Sequence, residues 1–251
     1  MKIAIFCPHK LIHLLKKSLL LVHDDIVFVY EDSMEPLECE YNFNHDKDGD
    51  YEFLELMSIS LVIVYGWNYL IPHNVLSKVV FFNIHASPLP KYRGPCPVVF
   101  QLLHKEKAIG LTIHKMDSTY DSGDIFIKEY IDVDYNRLPY LEVTIFRAVK
   151  RNMIKLIRAF LTNEISLNPQ QEEEATYYSK KDLLAYLNRN TSYEEFVWMN
   201  EVFKIYKPFK VEINNNIYIV EDYSHTLQDG YSEFVLKDRR IYLKLINEGS
   251  A

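Results

Sequence analysis

Asn83, His85 and Asp121 are the residues of this 251-residue sequence whose types and spacing could do chemistry together. Asn83 and His85 close an apolar run at 79–85 (VVFFNIH). As positions i and i+2 of an extended segment they face the same side. Asp121 stands in D-S-G-D, a tight turn ahead of a further apolar run. An amide, an imidazole and a carboxylate in one crevice make an acyl-transfer centre. The amide N–H steadies an oxyanion, the imidazole moves a proton, and the carboxylate orients or charges the imidazole. No serine or cysteine nucleophile is required if the acceptor is an amine. Singly, each residue has a plainer reading: a histidine at a strand end is more often a satisfied structural group, and Asp in D-x-G a turn former. Their grouping around a loop shaped by Pro88, Pro90 and Gly94 favours chemistry.

The elements that must position these groups are legible in the apolar pattern. Residues 2–7, 25–30, 61–65 and 79–85 are continuous β-branched and aromatic runs, as expected of parallel strands covered on both faces. Leucines at helical spacing over 11–21 predict a helix after the first strand. The result is a Rossmann-like open α/β sheet, and ligands of such sheets bind outside the carboxyl ends of strands, where Asn83 and His85 lie. Residues 97–107 predict a helix with proline in its first turn. Residues 110–116 and 124–133 alternate, predicting strands with one wetter face, and 141–161 carry a sustained i, i+3, i+4 apolar stripe.

Residues 31–50 read as an irregular excursion and the run 170–174 as a solvated linker. From 209 onward come short strands (211–213, 217–220, 231–236 and 241–245) with turn signals between them. The expected organisation is a catalytic domain over 1–165 and a linker with a small C-terminal β appendage over 166–251, whose edge strands suggest a homodimer through 205–245.

Composition narrows the function. A net charge of −7 argues against a nucleic-acid partner, whose affinity comes mainly from lysines and arginines. No apolar run reaches the ~20 residues of a membrane helix, so no membrane partner is expected and the cytoplasm is the default address. Three scattered cysteines form neither a disulfide framework nor a zinc pattern. His9 and His13 have metal-like spacing but no third ligand, so no metal is expected. Cys7-Pro8-His9-Lys10 stands where a dinucleotide fingerprint would need glycines.

The stretch N-I-H-A-S-P-L-P-K-Y-R-G-x-x-P, followed by G-L-T-I-H-K-M-D-x-x-x-D-S-G-D-I, resembles the signature of the folate-dependent formyltransferases. The resemblance is good over roughly residues 60–160. It implies the formyltransferase fold, N10-formyltetrahydrofolate as donor, and Asn83, His85 and Asp121 as the catalytic Asn, His and Asp. It places the folate near Tyr65, Gly66, Trp67 and Leu70, and near Ile113, Asp117 and Asp121. The short appendage, acidic charge and missing phosphate loop make the chain most similar to the nucleotide-sugar N-formyltransferases. The implied acceptor is dTDP-4-amino-4,6-dideoxyglucose, in lipopolysaccharide O-antigen biosynthesis. UDP-4-amino-4-deoxyarabinose and methionyl-tRNA are the alternatives. Lys91, Tyr92, Arg93, Tyr177, Tyr178, Lys204 and Lys207 are the candidates for base stacking and diphosphate pairing. A non-enzymatic reading, a module that holds folate or a nucleotide sugar without turnover, is disfavoured by the intact triad.

Overall fold

The computed structural model describes residues 1–31, 40–44, 51–67, 69–206, 209–214 and 216–247. Its chain divides into two compact units, 1–93 with 108–176 and 94–107 with 177–251.

The first unit is built on a seven-stranded sheet ordered β3-β2-β1-β4-β5-β6-β7. The strands are β1 (Lys2–Phe6), β2 (Ile26–Tyr30), β3 (Glu40–Asn42), β4 (Ile59–Val64), β5 (Val80–His85), β6 (Ala108–Lys115) and β7 (Ile125–Asp132). The first five pair in parallel, while β6 and β7 run antiparallel. β1, β2 and β4 are buried along nearly their whole length, as continuous apolar runs require. Helices α1 (His9–Leu19), α2 (Phe53–Leu56), α3 (His73–Leu76) and α5 (Leu141–Leu161) connect or flank them; α4 (Pro97–Leu103) falls in the second unit. α5 spans the residues its apolar stripe predicts and buries Ile145, Val149, Met153, Leu156 and Ile157. Each such side chain stabilises the fold by about 1.5–3 kcal/mol relative to exposure.

The differences from expectation have local causes. The polar excursion at 31–50 contains β3, an edge strand specified by its pairing with Phe28, Val29 and Tyr30 rather than by composition. β6 has no wet face except at its end, because α5 packs against it and Pro88, in the loop after β5, lies directly over Gly110. α1 begins two residues earlier than its leucines indicate, immediately after Pro8. α4 stops at Leu103 because Lys105 turns left-handed at φ +56°, ending the helix four residues before the predicted 107.

The second unit carries α4, α6 (Lys180–Ala185) and α7 (Tyr193–Tyr206) with an antiparallel sheet ordered β10-β11-β9-β8. Its strands are β8 (Lys210–Ile213), β9 (Asn216–Ser224), β10 (Tyr231–Val235) and β11 (Arg240–Asn247). α6 and α7 were not anticipated. α6 is announced by a capping box, Ser179 with Asp182, just after the run 170–174 that was read as linker. α7 buries Phe196, Met199, Val202 and Phe203, and its Trp198 indole donates to the Leu102 carbonyl at 3.0 Å.

Gly123 holds the turn before β7 against β6. A Cβ there would stand 1.8 Å from the Lys115 carbonyl oxygen, a backbone atom that cannot swing away. Gly123→Ala is expected to destabilise the fold by about 1–3 kcal/mol through overpacking. An unchanged midpoint in chemical denaturation would contradict this close approach.

Candidate active site at the β5–β6 junction

The register between β5 and β6 builds the site. Asn83 lies opposite His114 and His85 opposite Thr112, so four polar side chains share one face of two adjacent strands. Asp121 enters from the turn between β6 and β7, in the left-handed region at φ +52°. Its Oδ1 is 3.1 Å from Asn83 Nδ2, 3.6 Å from His85 Nδ1 and 3.5 Å from His114 Nε2. Asn83, His85 and Asp121, singled out in the sequence, are thus brought together. His114 completes the group and is only 2% exposed.

The hydrogen-bond partners settle which nitrogens carry protons. His85 Nε2 lies 2.8 Å from the Tyr92 carbonyl oxygen, which only accepts, so Nε2 is the N–H and Nδ1 presents a lone pair toward Asp121. His114 Nδ1 likewise donates to the Lys115 carbonyl at 3.0 Å, leaving Nε2 to accept from Asn83 Nδ2 at 3.4 Å. Burial holds His85 below the ordinary imidazole value, outweighing the opposing pulls of Asp121 and the Tyr92 carbonyl; His114 adds to the lowering. At 3.6 Å a neutral His85 and Asp121 make neither an ion pair nor a hydrogen bond. A proton arriving at Nδ1 would charge the imidazole and create the ion pair. The site is therefore arranged to favour the protonated imidazole only once a reaction supplies the proton. Because the N–H of His85 is committed to Tyr92, Asn83 is the donor of the pair left for an oxyanion. Its long 3.4 Å contact to His114 is the bond that can be redirected.

The loop after β5 is held from within. Thr112 Oγ1 donates to the Ser87 carbonyl at 2.7 Å and accepts from the Leu89 N–H at 3.2 Å, and Ser87 Oγ donates to the Lys91 carbonyl at 2.8 Å. The Leu89–Pro90 peptide is cis.

Tyr65 and Gly66 leave β4 beside Asn83, since Val64 pairs with Asn83 across the strands. Burial, with Glu142 nearby, raises the Tyr65 phenol to about 12, so it stays a neutral donor. Gly66 takes the left-handed φ of +67°, and a Cβ there would stand 3.5 Å from the Pro8 ring. The neighbouring side chains are differently engaged. Trp67 packs against Phe6 and Phe43 with ring centroids 5.0 and 5.1 Å apart, Ile113 is fully buried on the face away from His114, and Leu70 is exposed. The Asp117 carboxylate accepts from the Thr119 N–H and the Ser122 hydroxyl, both at 2.9 Å, and shapes its own turn.

Arg93 is not open to a diphosphate. Its guanidinium donates to Glu172 at 2.9 and 2.6 Å and to Gln170 at 2.8 Å. Tyr92 is buried at φ +63°, and Lys91 is exposed. Tyr177 and Tyr178 belong to the second unit, where with Asp182, Tyr186 and Asn188 they line a cavity of about 420 Å³. Tyr178 stacks on Phe100 with centroids 4.5 Å apart. Lys204 pairs with Glu201 at 3.2 Å, and Lys207 lies outside the described residues. His9 stacks on Tyr30 at 4.4 Å, and burial lifts the Cys7 thiol to about 12. Among the described residues, no cluster of three or more His, Cys, Asp or Glu suits a metal, and no helix is long and apolar enough to cross a membrane.

His114 and Gln170 were missed. His114 sits in the G-L-T-I-H-K-M motif, and only the β5–β6 register, which no local pattern reveals, shows that it faces Asn83.

Residues 16–139 match the formyl transferase family. A methionyl-tRNA formyltransferase of Kosmotoga olearia is 32% identical over 138 residues, 54% of this chain and 44% of the relative. The match to that relative thus spans less than half of its length. Among solved structures, a 4-N formyltransferase from Francisella tularensis superposes with TM-score 0.65 at 21% identity, over 87% of this chain and 96% of that one. WlaRD, a sugar 3N-formyl transferase solved with dTDP and 5-N-formyl-THF, superposes with TM-score 0.61 at 18% identity, over 99% and 98%. The seven-stranded, mostly parallel sheet with its small antiparallel partner is the formyltransferase fold.

Proposed function

We propose that this chain transfers a formyl group from N10-formyltetrahydrofolate to the amine of a nucleotide-linked amino sugar, dTDP-4-amino-4,6-dideoxyglucose. The observation that carries formyl transfer is the cluster itself: a buried neutral His85 whose Nδ1 lone pair faces Asp121, beside the N–H groups of Asn83. The folate supplies a formyl carbon open to attack by a neutral amine. Asn83 Nδ2 donates to the oxygen as it gains charge, Nδ1 of His85 takes the amine proton, and Asp121 stabilises the resulting imidazolium. The C–N bond to the acceptor forms, the bond to N10 breaks, and the proton passes to the departing N10. Residues 65–66 and Asp121 would hold the folate.

For the acceptor, support comes from the net charge of −7, which disfavours a polyanion, and from the tyrosine-lined cavity of the second unit, suited to a nucleotide base. Methionyl-tRNA is the second reading, favoured by the 32% identity to the Kosmotoga enzyme. A cytoplasmic homodimer built through 205–245 belongs to the same proposal. Incubation with N10-formyltetrahydrofolate and a panel of dTDP- and UDP-linked amino sugars, alongside methionyl-tRNA, separates these readings. Tetrahydrofolate release with the dTDP-4-amino sugar alone is expected. Release only with methionyl-tRNA or with the UDP-aminopentose would replace the acceptor, and folate binding without release would replace the enzyme with a binding module.

Asn83→Ala should lower kcat about 100- to 1,000-fold, the usual loss for an oxyanion donor, with folding intact. Steady-state kinetics near the wild-type value would remove Asn83 from the chemistry.

A further inference from the structure

Residues 168–176, around the run 170–174 that composition presents as a solvated acidic linker, tie the two halves of the site together. At one end, Asn168 and Ile125 exchange backbone bonds at 2.7 and 2.9 Å, just beyond the Asp121 turn. At the other, Thr176 accepts from the Arg93 N–H at 2.8 Å and donates its own N–H to Pro90 at 3.2 Å. Its hydroxyl accepts from the Tyr92 N–H at 2.8 Å. Tyr92 is the residue whose carbonyl fixes the His85 tautomer.

Gln170 stands between these anchors with both ends of its amide engaged. Nε2 donates to the carbonyls of Asp121 at 2.9 Å and Gly123 at 2.8 Å, while Oε1 accepts from Arg93 Nη2 at 2.8 Å and Nε at 3.3 Å. The amide orientation is unambiguous, since carbonyls only accept and a guanidinium only donates. Glu172 clamps the far side of Arg93 and is held below the usual carboxylate range by it.

We infer that Gln170 is a positioning residue for the transfer reaction: through Arg93 and the Asp121 and Gly123 carbonyls it holds the carboxylate turn at the distance from His85 that proton transfer requires. The inference rests on the proposed formyl transfer for its kinetic consequence but not for its geometry. Loss of the tie displaces Asp121 without touching substrate, so it falls on the chemical step.

Gln170→Glu is the direct test, because it keeps the shape and the acceptor facing Arg93 while removing both donors to the turn. The expected result is a fall in kcat of roughly 10- to 100-fold with KM for the amino sugar within twofold, the pattern of a misplaced catalytic group. Glu172→Gln, at an exposed position, weakens the charge of the clamp and should give a smaller fall in the same direction. Amide exchange by mass spectrometry reads the geometry without turnover. Segment 117–124 should exchange faster in Gln170→Glu, with α5 unchanged. Wild-type kcat and wild-type exchange in 117–124 would overturn the inference. Faster exchange of 117–124 in Gln170→Glu, together with a wild-type protein that transfers no formyl group, would leave the tie standing and reject the proposed activity instead.

Discussion

His85→Gln is expected to lower kcat by about 10²- to 10⁴-fold, the range associated with a positioned acid–base group. Glutamine is the informative replacement. Its amide can still donate to the Tyr92 carbonyl, now bonded by His85 Nε2 at 2.8 Å, so the loop after β5 keeps its tie. What it lacks is a basic lone pair toward Asp121. In the wild type the groups that face His85 are Asp121, His114 and the Tyr92 carbonyl, and burial prevails over them to keep the imidazole below its ordinary value of 6.5. The acidic limb of the kcat profile should therefore fall below pH 6.5 and vanish in His85→Gln. Stability follows the same sign. The unfolded chain binds the proton more readily than the folded one, so the contribution is full above 6.5 and lost as pH falls through the lowered value. A variant with wild-type turnover and an unchanged acidic limb would show that another group takes the proton.

Asp121→Asn should cost a similar factor for a different reason. Asparagine tolerates the left-handed φ of +52° at this position and keeps an oxygen to accept from Asn83 Nδ2, so turn and cluster persist. The lost element is the negative charge that would stabilise protonated His85. The expected fall in kcat is again about 10²- to 10⁴-fold. The pH profile carries the diagnostic. With the anion gone, nothing offsets burial and His114 except the Tyr92 carbonyl, so the acidic limb should move further down as the plateau drops. An upward move, or a plateau within a few-fold of wild type, would mean that Asp121 serves the turn and not the proton.

The strands and the long helix were legible because burial on both faces, or on one helical stripe, leaves a mark in every residue. β1, β2, β4 and α5 read directly from apolar runs and from the spacing of Ile145, Val149, Met153 and Ile157. β3 was not legible, since Glu40, Tyr41 and Asn42 are strand residues only through pairing with β2. The site shows the same division. Asn83, His85 and Asp121 stood out by type and position, but His114 required the β5–β6 register. Arg93 looked available for a phosphate because its partners lie 77 and 79 residues away in sequence, at Gln170 and Glu172. Acidic residues in a run are ordinarily solvated. What distinguishes Glu172 is a tertiary contact with a nearly buried arginine, and composition carries no trace of it.

The most direct test of the account is a single-turnover experiment with N10-formyltetrahydrofolate labelled with ¹³C in the formyl carbon, the purified chain in excess, and the dTDP-4-amino sugar as acceptor. The account predicts a ¹³C-formamide on the sugar nitrogen, formed in step with tetrahydrofolate and abolished on this timescale in His85→Gln. Label remaining on the folate with every amine offered, methionyl-tRNA included, would contradict it.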